Sequence, residues 1–139
     1  MKFKISASME MVDDHVEKKT PGWIGVDLDG TIAKYNGWKG WDNIGDPIPL
    51  TVNLVKKWIK AGADVRIFTA RVSKTSLARN KIEFSQMEKV IQDWTEKHLG
   101  ARLKVTCEKD CHMMAALDDT VMQVEMNTGK ILGKELPID

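Results

Sequence analysis

The chain has 139 residues, a length suited to one domain around one core. Its 42% apolar and 29% charged residues belong to a folded globular protein rather than a disordered one, and a net charge of +1 provides no global field for nucleic acid or an anionic membrane. No run of about 18 apolar residues is present, residues 1–20 lack the apolar region of a secretory signal, and Cys107 and Cys111 are too few for a disulfide framework; the expectation is a reduced, cytoplasmic protein without a membrane anchor.

Residues 1–21 are the least patterned stretch, polar through Asp13, Asp14, His15, Glu17, Lys18 and Lys19 and closed by Pro21. They read as an N-terminal arm, frayed or a short helix, ahead of a single domain over 22–139. A buried strand is expected over 23–28, running into Asp29-Gly30-Thr31. Residues 32–49 read as a loop, with Gly37, Gly40, Gly45, Pro47 and Pro49 as breakers and Trp38 and Trp41 inside it. Val52, Val55, Trp58 and Ile59 recur at helical spacing and predict a helix over 50–61, with Gly62 where a C-terminal cap belongs. Val65–Phe68 is the next strand and ends at Thr69-Ala70-Arg71. Residues 75–99 predict one long helix with a stripe of Ile82, Met87, Val90, Ile91 and Trp94, stopped by Gly100. Short strands follow over 103–106 and 113–117, the second ending at Asp118-Asp119, and an edge strand over 121–126 precedes the Asn127-Thr128-Gly129 turn.

Strands alternating with helices imply an α/β domain with a parallel sheet, and ligands of such sheets bind beyond the carboxyl ends of the strands. Those ends carry Asp27 and Asp29, Thr69, Lys109 just past a third strand, and Asp118 and Asp119. Carboxylates brought together cannot all remain bare anions; they raise one another's pKa or a cation neutralises them. Oxygen ligands without soft donors suit Mg2+. An aspartate beside Mg2+ can attack a phosphoryl group, a second carboxylate can transfer protons, and a threonine hydroxyl and a lysine can hold phosphoryl oxygens.

Asp27-Leu28-Asp29-Gly30-Thr31 after an apolar strand resembles the first motif of the haloacid dehalogenase (HAD) superfamily of phosphotransferases. Thr69 resembles its second motif, Lys109 its third and Asp118-Asp119 its fourth, so the resemblance covers residues 23 to about 126. The chain also resembles small phage and prophage HAD-like proteins with a Gly-Trp-Lys-Gly loop, a Phe-Thr-Ala-Arg strand end and an Asn-Thr-Gly ending.

The resemblance implies a Rossmann-like three-layer domain with a central, mainly parallel sheet. It implies Asp27 as nucleophile and Mg2+ ligand, and Asp29 as general acid/base that also lends its carbonyl to the metal. Thr69 would bind phosphate, Lys109 would neutralise the aspartyl-phosphate, and Asp118 and Asp119 would complete the metal shell. Gly30, Thr31, Ala70 and Arg71 would line the substrate side. The gaps 32–64 and 70–103 leave no room for a cap domain. The implied activity is a Mg2+-dependent phosphatase acting on phosphate monoesters, with nucleotides or nucleic-acid ends as the first substrate guess, in the cytoplasm of a bacterial or phage-infected cell. No oligomer is indicated. The alternative is a non-catalytic phosphoryl-binding module on the same fold; a receiver-type signalling domain is disfavoured because no aspartate ends the middle strand. Arg71 is as well suited to an intramolecular ion pair as to substrate phosphate, Trp38 and Trp41 to anchoring a loop, Trp58 and Trp94 to the core, and Cys107, Cys111 and His112 to roles without zinc.

Overall fold

The computed structural model describes residues 11–12, 15–16 and 20–138. Two short strands, β1 (Met11–Val12) and β2 (His15–Val16), pair antiparallel. The short helix considered for the arm is not what these four residues form, and the rest of 1–19 lies outside the described residues. The first strand of the main sheet, β3 (Trp23–Val26), is buried throughout. Helix α1 (Pro49–Lys60) opens on a proline, whose fixed φ suits the first turn, and places Lys57 and Lys60 against the negative end of its dipole. It buries Val52 and Val55, and Gly62 beyond its end takes φ +90°, a conformation glycine adopts without cost.

Strand β4 (Asp64–Phe68) alternates, with Val65 and Ile67 buried. The single helix expected over 75–99 is two helices, α2 (Lys74–Asn80) and α3 (Phe84–Leu99), preceded by one 3-10 turn over Ala70–Val72. The break is at Lys81, which adopts φ +54° and donates its N–H to the end of α2. Gln86 then accepts from the Glu83 N–H at 2.8 Å and starts α3. The stripe that suggested one helix begins only at Ile82, so it carries no information about residues before the break, although Leu77 and Ile82 both pack on the core. Gly100 ends α3 at φ +79°, as expected.

Strands β5 (Val105–Thr106) and β6 (Met113–Leu117) complete a four-stranded parallel sheet in the order β5-β4-β3-β6. The edge strand expected over 121–126 shortens to β7 (Gln123–Val124), which pairs with β8 (Ile131–Leu132) in a separate antiparallel pair instead of joining the sheet.

The architecture is α/β and compatible with a Rossmann-like layout, but the expected third layer is not seen among the described residues. Helices α1 and α3 pack against each other and share one core with Ile24, Val26, Val65 and Ile67, so both cover the same face. The opposite face carries Trp23, Gly25, Arg66 and Phe68, with the Arg66 guanidinium 4.9 Å from the Trp23 ring. The reason is the connection 107–112: a crossover helix needs a dozen or more residues. Among the described residues, no helix is long and apolar enough to cross a membrane.

Candidate active site

Strand register builds the site. Val26 lies level with Ile67 of β4 and Leu117 of β6, and the Asp27 N–H donates to the Leu117 carbonyl at 2.9 Å. The residues that leave β3 and β6 therefore emerge side by side. Asp27, Asp118 and Asp119 each offer a carboxylate oxygen, all within 4.8 Å of one another. The turn after Asp27 winds around one carbonyl: Leu28 O accepts from the N–H groups of Thr31, Ile32 and Ala33 at 3.3, 3.1 and 2.9 Å. This brings the Thr31 hydroxyl 3.0 Å from Asp27 Oδ2 and 3.1 Å from Asp119 Oδ1, while it accepts from the Asp119 N–H at 3.1 Å. Gly30 is required twice. Its φ is +89°, and a Cβ there would stand 2.7 Å from Asp119 Oδ2.

The cluster is electrostatically uncompensated. Burial first, then a hydrogen bond shared with Asp119 and the charge of Asp118, pushes the Asp27 carboxyl up from 3.8 to about 7; the Thr31 hydroxyl opposes them only in part. Among the described residues, no Lys, Arg or His makes an ion pair with any of the three carboxylates. Three hard oxygen donors with no nitrogen or sulfur fit Mg2+, and a dication would remove the repulsion that raises Asp27. The Asp118 carboxylate is steadied at Oδ1 by the Thr120 N–H and hydroxyl, both at 2.9 Å.

Asp29 takes no part in that cluster. Both its oxygens accept from Arg71, Oδ2 from Nε at 2.7 Å and Oδ1 from Nη2 at 2.8 Å. Arg71, 5% exposed, also donates to the carbonyls of Trp41 and Asn43 at 3.0 and 2.9 Å. The intramolecular pair is thus the arrangement observed for Arg71, and it fastens the 32–49 loop to the end of β4. Thr69, also buried, accepts from the Arg71 N–H at 3.1 Å and so caps the 3-10 turn. It lines, with Asp27, Asp29, Ala70 and Arg71, a cleft of about 540 Å³. A larger cleft, about 1120 Å³, runs along the outer edge of β6 toward Leu136 and meets the acidic cluster only at Asp118 and Asp119.

Lys109 is not brought to this cleft. It is exposed on the 107–112 connection and makes no ion pair among the described residues. One residue later, Asp110 Oδ1 accepts from Trp23 Nε1 at 2.8 Å, at the opposite end of β3 from Asp27. Four strand residues separate those ends by about 13 Å. The connection must descend from the top of β5 to the bottom of β6, and with six residues it does so at once.

The two loop tryptophans part company. Trp41 packs against the core, whereas Trp38 is 48% exposed and lies over the Arg71 guanidinium, 4.8 Å away. The opposite wall of the cleft, Ser73, Thr75, Ser76, Arg79 and Asn80, went unnoticed in the sequence. Its signal in the sequence is the hydroxyl run Ser73, Thr75 and Ser76 after Arg71. No family model, curated protein or solved structure matches this chain.

Proposed function

We propose that the chain is a Mg2+-dependent phosphatase that hydrolyses phosphate monoesters through an aspartyl-phosphate on Asp27, on a HAD-like domain without a cap. The observation that carries this reading is the convergence of Asp27, Asp118 and Asp119 within 4.8 Å at adjacent strand ends. Their order along the chain, with Thr69 at a third strand end, supports the HAD-like reading. Only α1 and a loop separate β3 from β4, and only the 3-10 turn, α2 and α3 separate β4 from β5, which supports the reading without a cap.

Asp27, Asp118 and Asp119 would hold Mg2+, which when bound supplies charge to the phosphoryl oxygens. The Asp27 carboxylate would attack phosphorus as the P–O ester bond breaks, the leaving oxygen taking a proton from Asp29 or solvent; water would then attack phosphorus, giving its proton back to the same acceptor and breaking the Asp27 O–P bond to free phosphate and Asp27. Thr69 lines the cleft beside Asp27 and would face the phosphoryl oxygens; Gly30 and Thr31 do not line it, and the Thr31 hydroxyl instead ties Asp27 to Asp119. Asp29 lines the same cleft with both its oxygens held by Arg71, which fixes the orientation of its carboxylate.

The same observation, with Lys109 absent from the cleft lining, favours a second reading: a phosphoryl-binding module that holds metal and ligand without turnover. Phosphate release from p-nitrophenyl phosphate separates the two. Under the first reading the wild type releases phosphate with Mg2+, EDTA stops it and Asp27→Asn abolishes it. Mg2+ that raises the melting temperature without any release across a monoester panel selects the second.

A further inference from the structure

We infer that the cleft recognises a nucleoside phosphate, with the base stacked on Trp38. This rests on the phosphoryl reading of the site and names its substrate class. Trp38 is not a singly scattered apolar residue: it shares the rim of the cleft with a second exposed ring, Tyr35. Loop anchoring does not account for its position: Trp41 already packs on the core, and Arg71 binds the loop through two carbonyls. Trp38 instead lies over a buried guanidinium that holds the ring in place, and nearly half of the residue remains in solvent, 48% exposed. Tyr35, 49% exposed, stands on the same rim. Both rings line the cleft that contains Asp27 and Thr69, so a phosphate at the carboxylates and a planar group at the rings can belong to one ligand.

The rest of the wall agrees with that chemistry. Ser73, Thr75, Ser76 and Asn80 offer neutral donors and acceptors suited to a sugar. Arg79 is exposed, lines the same cleft and has no carboxylate partner among the described residues, which leaves it for a further phosphate. A preformed aromatic platform, polar walls and one unpaired cation are the parts of a nucleotide-end site.

The ligand is either a free nucleotide or the end of a polynucleotide, which share this chemistry. Calorimetry on the wild type with Ca2+ in place of Mg2+, an oxygen-ligand cation that keeps Asp27, Asp118 and Asp119 neutralised, tests the inference in samples verified to release no phosphate, using adenosine 5′-monophosphate, ribose 5-phosphate, and oligothymidylates phosphorylated at the 5′ or 3′ end. We expect the nucleotides or the phosphorylated oligonucleotides to bind at least about tenfold tighter than ribose 5-phosphate, and adding Trp38→Ala to erase that ratio while Trp38→Phe retains most of it. Whichever of the free and chain-end ligands binds tighter identifies the source. Equal binding of nucleotides and ribose 5-phosphate, or a ratio indifferent to Trp38→Ala, overturns the inference. If the ratio holds but the wild type with Mg2+ releases no phosphate from any of them, the base site stands and the hydrolytic reading falls.

Discussion

Asp27→Asn should make the metal-free protein more stable while removing its response to Mg2+. The carboxyl of Asp27 is lifted from 3.8 to about 7 by burial and by its acidic neighbours. Taken whole, that rise means roughly 4 kcal/mol of destabilisation at pH 8. Solvent around this half-buried group reduces the figure to about 1–2 kcal/mol. Asparagine keeps the shape, carries no charge and can donate to Asp119, so the cost disappears. For a chain of this size the gain is about 3–8 °C in melting temperature. Thermal melts in EDTA at pH 8 and pH 5 measure it, and the difference should shrink at pH 5, where the wild-type carboxyl already holds its proton. With Mg2+ at a hundred times its dissociation constant, the wild type should gain about 2.7 kcal/mol and the variant little. A variant less stable than wild type in EDTA at pH 8, or one that Mg2+ stabilises equally, would refute the reading of these carboxylates as a strained cation site.

The same shift predicts a pH trend. Because the folded protein holds the Asp27 proton more tightly than the unfolded chain, its contribution to metal-free stability is fully present below pH 3.8 and lost as pH rises through about 7; urea titrations in EDTA from pH 4 to 8 should show it, and Mg2+ binding should weaken by up to tenfold per pH unit below 7. Gly30→Ala forces a Cβ to 2.7 Å from Asp119 Oδ2 at φ +89°; a loss of about 1–3 kcal/mol in urea unfolding is expected, together with weaker Mg2+ binding by calorimetry. Arg71→Ala leaves Asp29 and the carbonyls of Trp41 and Asn43 without their donors, which should cost about 2–4 kcal/mol and open the 32–49 loop to limited proteolysis; an unchanged cleavage pattern would show that the loop is held by something else. Lys109→Ala should leave phosphate release within about twofold of wild type; a loss on the order of a hundredfold would mean that the 107–112 connection reaches the cleft during turnover.

Much of the sheet was legible because each main strand is a short apolar run with a polar end. The site followed from it: Asp27, Thr69, Asp118 and Asp119 stand at strand ends that register makes neighbours. Lys109 does not line the cleft for a related reason. Reading it as a strand-end residue assumed a connection that lingers near the cleft, whereas Asp110 pairs with Trp23 at the far end of the sheet. The long helix over 75–99 split because one left-handed residue, Lys81, interrupts it just before the apolar stripe begins at Ile82.

By itself the sequence determined the alternation of strands and helices and the presence of carboxylates at two strand ends, since periodicity and charge placement are local properties of the chain. Tertiary structure alone decided the partners. Arg71, equally suited to substrate or to an ion pair, is buried against Asp29. Trp38 and Trp41, three residues apart, end respectively half in solvent and against the core. Both helices that pack on the sheet share a face because the β3–β4 and β4–β5 crossovers step in the same direction with the same hand, and the six-residue connection 107–112 adds none to the other. Which groups share a cleft depends on register and on the path of the connections, and neither is encoded in the spacing of residues along one element.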